Sequence, residues 1–343
     1  MAKTLRLRMP YRHAEAKECI PFPAKNCDGI HAIARRESRL KTMVMGSLNI
    51  DHVYRVAHFT QPGVTVRSCA LDTVCGGKGL NQSIAIQNGG TDVLLAGCVG
   101  KADSDQLFAL LHSKGVDTHL IARKDLPTGH TVIQVNDAGE NSILLCGGAN
   151  DAVDDALIDR ALAELNPADL LVMQNEIAQM PSLMTKAHAK GIRLVFNASP
   201  LESMPDSLPL DKVDLFFLNE HEAKVLARTE AHVESALLRQ YPEAKFVITC
   251  GARGAAVVAH SRQRLWADAL KVLAVDTTGA GDTFLGYFVS RMASGSTDEE
   301  CLRYATQAAA LCVQRHGAAP AIPLLAEVKR ALAGQQMSTE LNA

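Results

Sequence analysis

Residues Asp276 to Phe284 read DTTGAGDTF, between the apolar run Leu270 to Val275 and a helix-like run from Thr283 to Met292. Glycines at 279 and 281 let the backbone turn tightly, with successive N–H groups pointing inward where a Cβ would obstruct a close ligand. A helix starting at this turn adds its unpaired first-turn N–H groups and its dipole to the pull on an anion, so phosphate is the natural guest. Asp282 stands inside this nest. A carboxylate there opposes anion binding unless it has another task. Two tasks fit: general base toward a hydroxyl that attacks the phosphoryl group, or cap of the helix.

Outward from this stretch the chain alternates strand and helix. MVMGSL opens at Met43, and VLLAGCVG (93–100), LLVMQ (170–174), RLVFN (193–197), LFFLN (215–219) and FVITCG (246–251) follow, with AAVVAH after a glycine turn. Helical stretches begin near Ser104 and run over Asp151–Leu165, Pro181–Lys190, Asp298–Gln314 and Leu325–Ala333. Strands that are apolar throughout belong in a parallel sheet covered on both faces by helices, so the expected fold class is α/β, doubly wound and mostly parallel. Glu176, Asn197, Asn219 and Thr249 lie at the carboxyl ends of these strands, the ligand side of such a sheet. HVYRVAHF and the stretches Thr65–Val74, Thr131–Val135 and Ser142–Cys146 are strand-like too. They predict a small projecting sheet, a lid over roughly residues 51–75 and 129–147, on one body spanning 43–333.

Two glycine- and amide-bearing segments flank the lid strands. GSLNIDH puts Asn49 and Asp51 two residues apart, able to share a face of an extended segment or to serve as turn residues. In CGGKGLNQS, Gly76, Gly77 and Gly79 permit close backbone approach, and Asn81 offers both a donor and an acceptor. The Walker A spacing is absent here and at GCVGKA. Lys78 reads equally as a solvated charge or as part of the ligand site. NEHEAK makes Asn219 an N-cap with acids in the first turn; Glu222 is assigned to Mg²⁺ held through water, and His221 to the helix surface. TCGARG, with Gly251 and Gly254, forms a hairpin turn or a ledge beside a nucleotide.

A formal net charge of -2 with interspersed signs argues against an electrostatically driven nucleic-acid or membrane partner. Nine scattered cysteines without a C-x-x-C pair fit reduced thiols, and the basic N-terminus lacks the apolar run of a signal peptide. The expected location is the cytoplasm. Residues 1–42 show no periodicity and are expected to be a poorly ordered extension, with translation beginning at Met43 or with an interaction arm as the alternatives. Residues 334–343 are expected to fray.

With these residues laid out, the chain resembles the ribokinase-like (PfkB-type) carbohydrate kinases from about Met43 to Pro323. GSLNIDH and CGGKGLNQ are similar to the family's two N-terminal sugar-binding segments, and VDTTGAGDTF to its C-terminal signature. The resemblance implies that Asn49, Asp51, Gly77, Asn81 and Glu176 hold sugar hydroxyls and that Asp282 is the base. It implies that Asn197, Thr249, Gly251, Gly254 and Gly281 bind ATP, with Gly279, Ala280 and Gly281 as the anion hole. Asn219 and Glu222 belong to the same nucleotide side. Asp276, Thr278, Cys312, Arg315 and Gly317 match a loop that holds K⁺, mostly through backbone carbonyls. Ala321 stands where that pattern has a serine, and Thr306 replaces a residue near the adenine. The implied activity is ATP- and Mg²⁺-dependent phosphorylation of a primary hydroxyl, D-ribose to D-ribose 5-phosphate first, by a homodimer paired through its lids. The alternatives are a nucleoside kinase or another sugar kinase of the same fold, and a sugar-binding regulator without catalysis.

Overall fold

The computed structural model describes residues 40–201, 204 and 207–341. Thirteen strands are present among the described residues. The chain opens with β1 (Thr42–Met45), leaves for β2 (Asn49–Arg55) and β3 (Ala70–Gly76), and returns through α1 (Lys78–Asn88) to β4 (Val93–Gly100), α2 (Asp105–Ser113) and β5 (Asp117–Lys124). It departs again for β6 (Gly129–Val135) and β7 (Asn141–Cys146). Next come α3 (Asp155–Ala163), β8 (Leu170–Gln174), α4 (Met180–Ala189), β9 (Arg193–Asn197), β10 (Leu215–Asn219), α5 (Glu220–Ala227), α6 (Val233–Gln240) and β11 (Lys245–Thr249). A hairpin of β12 (Gly254–Ala259) and β13 (Arg262–Asp268) precedes α7 (Ala280–Ala293), α8 (Asp298–Cys312) and α9 (Leu325–Leu341).

Nine strands form one sheet in the order β13-β12-β11-β10-β9-β8-β1-β4-β5, parallel except where β12 and β13 turn back. Alternate residues of each central strand enter opposite layers. Met43, Met45, Leu171 and Met173 pack under α3 to α6, while Val44, Leu170 and Val172 pack under α1, α2, α7, α8 and α9. Burial on both faces is why these strands are apolar at every position. The chain winds outward from β1 in both directions, so β1 and β8 flank the point where strand order reverses, and a crevice opens beyond their carboxyl ends. Gly46 to Asn49 follow β1, and Gln174 to Glu176 close and follow β8, at those carboxyl ends. The remaining four strands form a separate sheet, β3-β2-β6-β7, which is the expected lid.

The differences from the sequence reading have physical causes. The edge strands β5 and β13 lack a fully apolar run because one side of an edge strand meets solvent; β5 alternates exposed and buried at its start. Within Thr65–Val74 only the part from Ala70 is strand, where it pairs with β2, and Leu270–Val275 forms no regular element. The folded body begins before Met43. Thr42 is buried and registers with Val93 and Leu170, and the backbone N–H of Lys41 donates to Asp169 Oδ1 at 2.9 Å. The rest of the extension, through residue 39, lies outside the described residues. At the other end α9 passes through Gly334 to Leu341, since one helical glycine costs only about 1 kcal/mol. No helix among the described residues is long and apolar enough to cross a membrane.

Candidate active site

Helix α7 begins in the nest read from the sequence. Gly279 is its N-cap with φ 72°, a left-handed conformation that an L side chain adopts only with strain, and no side chain caps the helix. Ala280 N–H turns back to Thr277, and the first-turn N–H groups of Gly281 and Asp282 have no intrahelical partner. A Cβ on Gly281 would meet only open space. Asp282 is therefore not the cap; it lies in the first turn, three residues past the cap, and its carboxylate turns toward α1.

The meeting of α1 and α7 fixes that carboxylate. The two helices run side by side in a register of four: a Cβ on Gly286 would lie 2.3 Å from the Ala85 Cβ, and one on Gly89 would lie 2.8 Å from Ser290. Only glycine allows the backbones to come so close. One turn earlier on each helix, Asn81 Nδ2 donates to Asp282 Oδ2 at 3.0 Å and Gln82 Nε2 donates to Asp282 Oδ1 at 2.9 Å. Asp282 keeps some exposure to the adjoining cavity but is closely surrounded by protein. Burial pushes its pKa up to about 6 against the pull of the Gln82 amide, the Lys78 charge and the Asn81 amide. Such a group is ionised at neutral pH yet basic enough to take a proton.

Two cavities meet at this helix end, sharing Thr249 and Gly281. One, of about 320 Å³, is lined by apolar groups such as Leu270, Val272, Ala274, Phe284 and Val313, with Gly251, Gly254 and Thr306 among its walls. The hydroxyl of Thr306 is buried without a partner. The other, of about 220 Å³, is polar and holds Lys78, Asn197, Asn219, Glu222, Gly279 and Asp282. An apolar slot suits a nucleobase and the polar cavity a polyphosphate, with the helix N-terminus between them.

On the other side of Asp282 lies the crevice beneath the lid. Lys78 Nζ pairs with Glu176 Oε1 at 2.5 Å, and Ser47 Oγ donates to Glu176 Oε2 at 2.5 Å. Burial opposes the Lys78 charge, but the Glu176 carboxylate outweighs it and the Lys78 pKa is raised. Asn49 Oδ1 accepts from Asn150 Nδ2 at 2.8 Å, and Asp51 Oδ1 accepts from Thr131 Oγ1 at 2.5 Å across the β2 and β6 register. Burial raises the Asp51 pKa above the ordinary carboxylate value, with the Thr131 hydroxyl opposing it. The buried Asn81 Oδ1 has no partner, the place for a hydroxyl to donate. Gly77, at φ 96°, would carry a Cβ 2.7 Å from the Ser47 carbonyl oxygen, so it brings α1 against the first sugar-side segment.

Glu222 and Asn219 form a reciprocal capping box: Glu222 N–H donates to Asn219 Oδ1 at 2.8 Å and Asn219 N–H to Glu222 Oε2 at 2.7 Å. The Glu222 side chain thus serves the helix while facing the polar cavity, and His221 is exposed as expected. The cation-loop residues also converge. Asp276 accepts from Thr278 N–H and Oγ1 through Oδ1 and from Gly317 N–H through Oδ2, at 2.9, 2.6 and 2.8 Å. Burial pushes its pKa up, but these hydrogen bonds prevail and hold it below the usual value. Cys312 Sγ accepts from Thr283 Oγ1, the Arg315 guanidinium turns away to Glu327, and Ala321 is fully buried. Sequence reading missed Gln82, Gln174, Thr131 and Asn150. Gln82 follows Asn81 in the quoted motif and was legible there as a second amide; the other three carried no local signal.

A doubly wound sheet with a carboxylate in the first turn of a helix, between a base-sized apolar slot and a polar crevice, defines a phosphotransferase acting on a hydroxyl. The chain belongs to the pfkB family of carbohydrate kinases, whose model matches residues 39–325, and it is a sugar kinase. It is 34% identical to a ribokinase of Schizosaccharomyces pombe over 84% of this chain and 96% of that protein. To a ribokinase of Haemophilus influenzae the identity is 32%, over 82% and 94% of the two chains. The structure of an Arabidopsis thaliana ribokinase complexed with ribose and ATP superposes with a TM-score of 0.76 at 27% identity, over 85% of this chain and 98% of that one.

Proposed function

We propose that this enzyme transfers the γ-phosphoryl group of ATP to the 5-hydroxyl of D-ribose, giving D-ribose 5-phosphate and ADP. The observation that carries the reading is Asp282, basic at neutral pH and standing where the polar cavity and the lid crevice meet at the N-terminus of α7. Asp282 takes the proton of the attacking hydroxyl as the new O–P bond forms and the bond to the β-phosphate oxygen breaks. The N–H groups of Gly281 and Asp282 and the helix dipole stabilise charge on the transferring group. Asn49, Asp51, Asn81 and Glu176 offer a compact set of hydroxyl partners, which favours a small polyol. The Glu222 carboxylate and the Asn197 amide face the polar cavity, hard oxygen donors suited to hydrated Mg²⁺, which when bound offsets negative charge on the polyphosphate. A coupled ADP-release assay across ribose, deoxyribose, fructose and several nucleosides tests the reading. Ribose should give the highest kcat/KM, and preference for a nucleoside or absence of sugar-dependent turnover would overturn it.

The active form is proposed to be a homodimer paired through the lids. Strand β7 leaves Ile143, Leu144 and Leu145 at 57%, 69% and 45% exposure, and Leu71 and Val74 of β3 are also exposed. Consecutive apolar residues exposed on both faces of a sheet with two open edges call for a partner, and a second lid supplies the matching surface. Replacing Leu144 and Ile143 with Asp should convert a dimer to a monomer in sedimentation velocity; a monomeric parent protein would refute the assembly.

A K⁺ ion is proposed between the Asp276 to Thr278 loop and the Cys312 to Gly317 loop, which Asp276 ties together. Potassium should raise turnover, and Ala321→Ser should tighten its apparent binding by adding a hydroxyl oxygen. Identical kinetics from zero to high potassium would remove this site.

A further inference from the structure

Gln82 and Gln174 are fully buried, and neither lines the apolar or the polar cavity. They form a chain behind the base. Gln174 Nε2 donates to Gln82 Oε1 at 2.6 Å, and Gln82 Nε2 in turn donates to Asp282 Oδ1 at 2.9 Å. The far end of the chain, Gln174 Oε1, has no hydrogen-bond partner and lies against Gly46, where a Cβ would be 1.9 Å away. A buried amide carbonyl left unpaired is costly.

We propose that Gln82 and Gln174 are positioning residues that hold Asp282 as the base and support it both before and after it takes the proton. The inference rests on the proposed role of Asp282 and deepens it. Each amide has a donor end and an acceptor end, and only the donor end suits a carboxylate. Gln174 decides which end Gln82 presents, because its Nε2 engages Gln82 Oε1 and leaves Gln82 Nε2 for Asp282. When Asp282 has accepted the proton, the two amides can invert together. The new carboxyl O–H then donates to Gln82 Oε1, and Gln82 Nε2 donates to Gln174 Oε1, the acceptor unpaired in the present arrangement. Only hydrogen bonds exchange, and Gln174 Nε2 takes the place of Oε1 against Gly46 as the one unpaired end of the two-amide chain. The charged groups facing Asp282 are Lys78 of α1, Glu176 beyond β8 and Glu222 of α5. Lys78 and Glu176 shift its proton affinity, but none of the three orients it, since none hydrogen-bonds to it among the described residues.

The test is a double-mutant cycle of Gln82→Met and Gln174→Met, read two ways. Carboxyl ¹³C NMR titration of the ligand-free protein follows Asp282 directly, and steady-state kinetics with ribose and ATP follow turnover against pH. Gln82→Met should raise the Asp282 midpoint and the acid limb of kcat by about one pH unit and lower kcat at neutral pH about tenfold, with both KM values nearly unchanged. Gln174→Met should move both in the same direction by less. The double variant should resemble Gln82→Met alone, because the amides act as one unit. Folded variants with an unmoved titration, or losses that add and fall on KM, would overturn the relay. If Gln82→Met does not fold, Gln82→Glu keeps the shape; it should raise the Asp282 midpoint further, and an unmoved midpoint refutes the proposal. A parent protein without sugar-dependent turnover would overturn the proposed function instead, and the NMR titration would still decide the relay.

Discussion

Replacing Asp282 with Asn should lower kcat on the order of 10²- to 10⁴-fold, the span for losing general-base assistance, while the KM for ribose changes little. The shape is kept, and the Gln82 amide can still donate to the side-chain oxygen that remains, so the variant should fold. In the parent enzyme kcat should fall as pH drops through about 6, where Asp282 becomes protonated, and the variant should lose that limb. Stability should move the opposite way. The Asp282 pKa is raised from 3.8 to about 6 on folding, so between those values the folded protein holds a proton that the unfolded chain releases. Stability contributed by that proton is present at low pH and is lost as pH rises through this window. By pH 7 the folded state carries a penalty of at most about 3 kcal/mol that the uncharged Asn avoids. Asp282→Asn should therefore melt a few degrees higher at neutral pH, and the gain should vanish near pH 4. A variant that still turns over at near-parental rates would end the assignment of Asp282 as the base.

Asp51→Asn should act on recognition rather than chemistry. Asp51 projects from β2 with one oxygen taken by Thr131, and its other oxygen lies against Gly76, where a Cβ would be 1.9 Å away. That oxygen keeps its acceptor capacity. A charge-assisted hydrogen bond to a sugar hydroxyl is worth roughly 1.5–3 kcal/mol, so the KM for ribose should rise about 10- to 100-fold. The kcat at saturating ribose and the KM for ATP should stay within about threefold, because Asp51 lines neither the apolar nor the polar cavity. Unchanged ribose binding by calorimetry would remove Asp51 from the sugar site. Together the two variants separate proton transfer from sugar binding: one should alter kcat alone, the other the KM for ribose.

The amino-acid order alone determined the α/β class, the lid and the anion nest, because each is written in local terms. Apolar runs such as LLVMQ and LFFLN reflect burial on both faces of a parallel sheet, and the glycines of DTTGAGDTF reflect backbone conformations that no other residue adopts cheaply. Asp282 could be singled out because a carboxylate in an anion nest is locally inconsistent. The edge strands β5 and β13 escaped because their half-exposed patterns are not distinctive. Tertiary structure alone decided what Asp282 faces. Its partners Asn81 and Gln82 lie some 200 positions away, and the close crossing of Gly286 over Ala85 brings one helix turn against the other. Likewise Lys78, readable equally as a solvent charge or a ligand group, is shown to line the polar cavity only by the fold, which sets it 2.5 Å from Glu176. A side chain's type and backbone neighbours are local, but its proton affinity and its hydrogen-bond partners depend on which distant groups the packed sheet carries to it.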